Sequence, residues 1–508
     1  MLRVVIIKPS KYNVAGDVER FRRGFMPNST VPYLRSMTPA SVDGVTIETH
    51  AIDEYVQTDL GYLDVLRNPS APTLLALVGV QSHQFQRALD LSAFARANGV
   101  RDCVIGGPHP MTCDTSMLQN RGVSFALAEA EIVWPRILRD ALQGGLQPVY
   151  GRDQRWAEEI EAPILIPPSK RDLKRYVVPM LGLYPSRGCP FTCNFCSVIK
   201  IAGRAIRSQS IESTMASLRA AKKAGVRLVM FTSDNFNKYA DARPLLRQMI
   251  EERIGIPFFV QCDVQIANDE ELVELLHRAG CFQIFVGVES FQRRTLLAAH
   301  KTQNHPERYA EIVRLCRKYP ICSHFSNIIG FPEDTVETVR EHFEILNQVG
   351  PRAASFYVLT PIPGTEQYDA FLSQGWISEK NLDRFDGQSS TWKHPNMSPA
   401  VLENLLFDSY RKFYSPRRLF EISFTAFKRR PFSSDFAVDL GLPIFCRYSA
   451  YVRQHPMSGG IGRVRADSLA DYRELRQKQF GYEQIPLPQS LELSKADAEL
   501  NRKVKIAI

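Results

Sequence analysis

Short apolar runs separated by stretches of helical periodicity recur twice along this chain, and that rhythm limits its fold more than any other feature. In the first 145 residues the runs lie at 4–7, 45–49, 74–80, 100–105 and 123–127. Between two of them, 84–97 places Phe85, Ala88, Leu89, Leu91 and Phe94 on one helical stripe, and Gly99 stands where a helix C-cap belongs. Continuous apolar runs alternating with helices are the pattern of a parallel sheet covered on both faces. The expectation over 1–145 is a doubly wound, Rossmann-like (flavodoxin-like) α/β domain that binds ligands at the carboxyl ends of its strands.

Pro163, Pro167, Pro168 and a charged stretch at 170–174 then predict a linker over 146–179. The rhythm resumes over 180–380. Ser210 caps a predicted helix with Ile211, Met215, Leu218 and Ala221 on one face, Gly225 ends it, and a strand follows at 226–231. Asn268, with Glu271 three residues on, opens a helix through Leu272, Leu275 and Leu276, which Gly280 ends before a strand at 282–288. Asp334 and Glu337 open a third, with Val336, Val339, Phe343 and Leu346 on one face and a strand at 356–359 behind it. Repeated units of this size predict a full or partial (β/α) TIM-like barrel, with its chemistry at the strands' carboxyl ends.

Beyond 380 the pattern weakens, and 381–508 reads as a mostly α C-terminal region, a candidate substrate-recognition or lid element. Within it, 410–430 mixes Arg411, Lys412, Arg417, Arg418, Lys428, Arg429 and Arg430 with Phe413, Tyr414, Phe420, Phe424 and Phe427. The favoured reading is an amphipathic helix packed on its own domain with solvated arginines. The other is a surface for lipid or an acidic substrate.

A chain of 508 residues is too long for one core, and 44% apolar with 23% charged residues is ordinary globular composition. The net charge of +9 invites nucleic acid or membrane. No helix-turn-helix, zinc-finger or RNA-binding signature supports the first. No apolar run approaches the roughly 18 residues of a membrane span. The apolar stretch at 4–7 is too short for a signal peptide, so a cytoplasmic protein without nucleic-acid partners is expected. Ten cysteines in this length are no disulfide framework. Cys103, Cys113, Cys262, Cys281, Cys316, Cys322 and Cys446 are scattered and read as buried thiols.

The other three stand together, in Arg187-Gly-Cys189-Pro-Phe-Thr-Cys193-Asn-Phe-Cys196, after a predicted strand at 181–184. Thiolates at Cys-x3-Cys-x2-Cys spacing can bind three corners of a metal cluster. A structural zinc site needs four ligands, and no fourth Cys or His lies nearby. A four-iron cluster with three protein ligands leaves one iron open.

This segment resembles the radical S-adenosylmethionine superfamily, and the resemblance covers most of 180–365. It implies that Cys189, Cys193 and Cys196 hold a 4Fe-4S cluster whose open iron chelates S-adenosylmethionine, with Phe195 near the adenine. Thr232-Ser233-Asp234-Asn235-Phe236 is similar to a strand end of the family's cobalamin-associated branch, with Ser233 where that branch has Asp. Gly287-Val-Glu289-Ser290, the strand end after Asn327, and Thr360-Pro-Ile-Pro-Gly-Thr365 fall in the same order. With Gln261 and Asp263, the resemblance makes Ser233, Asp234, Asn235, Glu289, Ser290 and Asn327 candidate cofactor ligands. On the residues alone, Asp234 and Glu289 could equally be loop acids or helix caps.

Ser82-His83-Gln84, Gly106-Gly107-Pro108-His109 and Glu129-Ala-Glu131 end three N-terminal strands, and together resemble the cobalamin-binding domain fused ahead of many such enzymes. Two glycines at a strand end also allow close approach of a bulky ligand. The Asp-x-His-x-x-Gly motif that supplies a lower cobalt ligand in many cobalamin proteins is missing; His50 lies on a predicted strand, and His83 is either a ligand or a surface histidine. The resemblance implies a cobalamin-dependent methyltransferase, in which a deoxyadenosyl radical takes hydrogen from an unactivated carbon and methylcobalamin supplies the methyl group. A radical cyclase or rearrangement enzyme is the alternative, and a non-catalytic cobalamin or redox sensor another. Expected partners are a small-molecule, lipid or natural-product substrate and an electron donor such as flavodoxin or ferredoxin.

Overall fold

The computed structural model describes the backbone of residues 1–160, 162–429 and 434–502, and the side chains there except at 425, 426, 428, 429 and 434–439. Two parallel sheets organise it. The first runs in the order Ser41–Val42, Val45–Asp53, Leu2–Lys8, Thr73–Leu77, Asp102–Gly106, Ser124–Ala126, Val149–Tyr150, and only Ser41–Val42 is antiparallel. Chain order reverses between Leu2–Lys8 and Thr73–Leu77, which opens a crevice at their carboxyl ends. Helix Phe85–Ala97 covers one face through Phe85, Ala88, Leu89 and Leu91, and helix Ala130–Leu142 the other through Trp134, Ile137 and Leu138. The last strand, Val149–Tyr150, lies in the stretch read from sequence as linker.

The second sheet has six parallel strands in simple order: Leu181–Leu183, Val229–Phe231, Phe258–Cys262, Cys281–Glu289, Cys322–Ile329 and Ala353–Val358. Its first and last strands do not pair, so the barrel is partial. Helix Ser434–Tyr451 packs at this seam, with Phe445 against Phe25, Val178 and Met180 and with Leu442 facing the barrel interior.

Local chemistry sets the elements. Ser210 accepts from the Ser213 amide and Gly225 is left-handed, which bounds helix Ile211–Ala224 as expected. The strand behind it starts at Val229 rather than 226, because the Val226 amide still bonds back to the Ala221 carbonyl at 3.0 Å. Asp269, not Asn268, caps helix Glu270–Ala279, its carboxylate accepting from Leu272 N at 3.1 Å. Thr335 caps Val336–Val349 in a reciprocal pair with Thr338, while Asp334 accepts from the Gly330 and Phe331 amides, each at 2.9 Å.

The C-terminal region is helical through Pro399–Phe413, Pro416–Arg429 and Ser434–Tyr451, and then turns back. Strand Gly460–Val464 pairs antiparallel with Arg20–Gly24. Phe480 and Ile485 enter the core of the N-terminal domain. Asp467 accepts from Arg87, and Arg476 holds Asp90 in two hydrogen bonds of 2.7 and 2.9 Å. Asn501 finally bonds to Arg204 on the barrel side. The favoured reading of the basic-aromatic stretch holds in part: helix Pro416–Arg429 packs inward through Leu419 and Ile422 with Arg417 exposed, whereas Phe420, Phe424 and Phe427 are 71%, 51% and 56% exposed. Phe413 and Tyr414 are the aromatics that pack inward. Arg430 and the side chains of Lys428 and Arg429 lie outside the described residues. Among the described residues no helix is long and apolar enough to cross a membrane.

Candidate functional site

The cysteine loop leaves the barrel's first strand through Ser186–Arg187, which pairs with Arg207–Ser208. Gly188 has φ +102°, and a Cβ there would sit 2.2 Å from the Ala205 carbonyl oxygen, so only glycine makes this turn. Burial first, then the neighbouring thiols, pushes Cys189 up to about 11 and Cys196 up to about 12. Such thiols stay protonated unless a metal takes the proton's place. Among the described residues no three Cys, His, Asp or Glu side chains converge on a point where one ion would sit. The three thiols, close enough to influence one another, fit the corners of a cluster instead.

Cationic and donor groups lie beside them. Gln303 points its amide at Cys193 Sγ, 3.6 Å away. Lys301 Nζ lies 3.1 Å from Glu289 and 5.8 Å from the centre of the Phe195 ring. Burial opposes its charge, but Glu289 and then Cys193 outweigh this and hold the ammonium protonated. Glu289 is bent into the left-handed region, φ +60°, and also accepts from Ser326 Oγ at 3.2 Å. Gly287 leaves room for this, since a Cβ there would meet Glu289 Oε1 at 2.5 Å. A strained non-glycine residue held by two partners marks a working position. Lys301 and Gln303 were not found from sequence. They follow a short helix, Arg293–Ala298, with no motif to announce them.

Other expected cofactor residues divide. Asp234 accepts from the Gly188 amide at 2.8 Å, and Ser233 from Ser186 at 2.9 Å, so both bind the cysteine loop to the next strand end. Gln261 faces the barrel interior. Asn235 and Asp263 exchange two hydrogen bonds, of 2.8 and 3.0 Å, and Asp263 also caps Gln265. Ser290 Oγ accepts from the Gln292 amide. Asn327 is corrected: it is fully buried, donates to the Phe325 and Ser355 carbonyls and faces His342, which leaves nothing for a ligand.

The N-terminal strand ends need more correction. Glu129 grips Arg207 at 2.6 and 2.8 Å, and Glu131 grips Arg187 at 2.7 and 3.1 Å. Both carboxylates tie this domain to the cysteine loop. A Cβ on Gly107 (φ +130°) would lie 2.2 Å from Val80 N, so that glycine serves backbone packing rather than ligand approach; Gly106 abuts Ala126. Pro108 is the first residue of a short helix, and His109 is buried against Phe85 with Nδ1 3.0 Å from Ser82 Oγ. Ser82 and His109 are therefore core groups, and burial pushes the His109 imidazole down to about 3.

What remains faces a cleft of about 410 Å³ between the two domains. Lys8, Ser10, Lys11, His83 and Gln84 line one wall, and Met230, Thr232 and Tyr357 the other. His83 is half-buried at the cleft wall, where burial and then Lys11 push it down to about 3 and keep it neutral. Lys8 donates to Gln84 Oε1 and to the Gly79 carbonyl, and Lys11 pairs with Asp386 at 2.5 Å. Lys8, Ser10 and Lys11 gave no sequence signal beyond following the first strand. Thr232 faces the cleft while Asp234, two residues on, holds the cysteine loop.

Residues 183–346 match the Radical SAM superfamily. Bacteriochlorophyllide d C-8(2)-methyltransferase of Chlorobaculum tepidum is 24% identical over 383 residues, 70% of this chain and 83% of that one. The anaerobic magnesium-protoporphyrin IX monomethyl ester cyclase of Cereibacter sphaeroides is 26% identical over 51% of this chain and 43% of its own. The radical S-adenosylmethionine methyltransferase TsrM of Kitasatospora setae, solved with cobalamin and a [4Fe-4S] cluster bound, superposes with a TM-score of 0.63. That likeness, at 15% identity, covers 88% of this chain and 99% of that one and is one of fold. Residues 183–346, with the three-cysteine loop and the open parallel barrel, thus carry a Radical SAM domain.

Proposed function

We propose that the protein is a cobalamin-dependent radical S-adenosylmethionine methyltransferase acting on an unactivated carbon. The observation that carries this is the single strand end at 229–234, which lines the interdomain cleft with Thr232 and anchors the cysteine loop with Asp234. Chemistry begun at the loop thus borders the ligand site of the N-terminal domain. Cluster and S-adenosylmethionine supply hydrogen abstraction, and cobalamin supplies the methyl group.

The chain's own residues hold and shield. Cys189, Cys193 and Cys196 would hold the cluster, and Gln303 donates to the Cys193 sulfur. Lys301 suits the carboxylate of S-adenosylmethionine and Glu289 its ammonium, a pairing of opposite charges in a site with little water. Phe195 offers a face to the adenine. Lys8, Ser10, His83 and Gln84, which line the cleft, would hold cobalamin there, and the neutral His83 can serve as donor or acceptor. Arg187 and Arg207, locked to Glu131 and Glu129, keep the two sites in register. A reducing cytoplasm, with flavodoxin or ferredoxin as electron donor, suits such a reaction.

The test is anaerobic reconstitution with iron, sulfide and hydroxocobalamin, then reduction with S-adenosylmethionine and assay of the nucleoside products. Methylation yields S-adenosylhomocysteine and 5′-deoxyadenosine together, and the Cys193→Ala variant yields neither by the radical route. The similarity to the cyclase favours a second reading, ring closure. Deoxyadenosine without homocysteine would select it, and no cleavage at all would sink both.

A further inference from the structure

Inside the barrel, behind the cleft, lies a chamber of about 370 Å³. It shares Met26, Met230, Tyr357 and Met457 with the cleft, so the two spaces meet at these side chains. Its walls are mainly apolar: Phe25, Phe259, Phe282, Phe285, Met180 and Leu442 among them. The volume is within the range of pockets for small organic ligands, which are apolar with a few placed polar groups.

One polar group is unpaired. His324, 6% exposed, keeps its Nε2 on Ser355 Oγ at 2.8 Å, whereas its Nδ1 is buried without a hydrogen-bond partner. His324 is the third residue of its strand, at the deep end, and Tyr357 is the second last of its own, at the cleft. A buried nitrogen without a partner is destabilising, and a ligand's polar group would recover that loss. Burial pushes the imidazole down to about 3, so the ring is neutral and charge plays no part in recognition.

We propose that this chamber holds the substrate, and that the substrate is a largely aromatic or hydrocarbon molecule bearing one hydroxyl or similar group that His324 binds at the deep end. That anchor leaves the molecule's apolar end at Met230 and Tyr357, where the chamber opens to the cleft, and so selects which carbon reacts. Phosphorylated or zwitterionic substrates are rejected, because no charged side chain lines the space to pair with them. The inference rests on the methyltransferase reading only for the word substrate.

Fluorescence titration of the full chain with pyrene and 1-hydroxypyrene tests it. Both should bind at one site per chain, the hydroxyl compound about 3- to 10-fold tighter, the worth of one hydrogen bond. His324→Leu should abolish that preference, Leu442→Trp should weaken both probes at least about 10-fold by filling the chamber, and Phe420→Ser, on the exposed aromatic face, should change neither. No preference in the wild type, or one that persists in His324→Leu, overturns the anchor. Undiminished binding in Leu442→Trp, or binding lost in Phe420→Ser, overturns the chamber. Should Leu442→Trp not fold, His324→Leu decides alone. No reductant or cofactor turnover is involved, so probe binding without nucleoside products sinks only the enzymatic reading, and products without probe binding sink only this one.

Discussion

The cysteine side of the barrel and the chamber beside it are built by opposite rules. Around the cysteine loop nearly every charge meets its opposite: Arg187 with Glu131, Arg207 with Glu129, Lys301 with Glu289. In the chamber the walls are mainly apolar, with Gln261, Gln283, Ser326 and Ser355 among them, and one buried histidine nitrogen has no partner. A site that must hold a fixed, charged reagent gains from paired charges, which set geometry and resist reorganisation. A site that must admit a molecule gains from space and from one unmet hydrogen bond. The contrast also separates what mutation should do on each side.

The largest effect should come from Arg187→Ala. It leaves the buried carboxylates of Glu131 and Glu129 short of a counter-charge and removes the guanidinium from between Tyr33 and Tyr184. Chemical denaturation should show a loss of about 3–5 kcal/mol, the usual cost of breaking a buried pair from one side. An unchanged midpoint would mean the clamp is ornamental. Next is Lys301→Met, which keeps the stem and drops the charge. Iron content per chain should hold while S-adenosylmethionine affinity, read by equilibrium dialysis, falls at least about 10-fold, some 1.4 kcal/mol. Loss of iron instead would make Lys301 part of the loop's scaffold. Ser355→Ala, on the chamber side, takes away the one partner of His324. A stability loss of about 1–2 kcal/mol is expected from thermal melts. Met230→Leu should do least, within about 1 kcal/mol, because the swap conserves volume where packing is loose. A larger loss there would erase the distinction between the two sides.

Much of this was legible from sequence because it is local. The cysteine spacing, Ser210 with Gly225, and the run of apolar strands each announce themselves within about a dozen residues. Glu129 and Glu131 misled because an acid at a strand end looks the same whether it awaits a ligand or a neighbouring domain. Their guanidinium partners are 78 and 56 residues away. Gly107 misled for a related reason: its missing Cβ makes room for Val80, which nothing in a Gly-Gly pair reveals. Lys301 went unnoticed because its position depends on the bend at Gly287–Glu289, itself a product of tertiary packing. The chamber could not be read at all, since it is assembled from strands, the seam helix and Phe25 together.

The returning C-terminal segment bears on how the chain can be made. The N-terminal sheet leaves the ribosome first, yet Arg20 and Arg87 wait for Asp467, Asp90 for Arg476, and the core for Phe480 and Ile485. Until those residues are synthesised, Arg20 lacks an acid, Arg87 has Glu54 alone, and an apolar patch stays open. Pairings 380 to 447 residues apart, as between Asp467 and its two arginines, close late and slowly. The nascent chain therefore leaves this patch uncovered for longer than a domain whose partners lie close by in sequence. The first domain to emerge is among the last to finish.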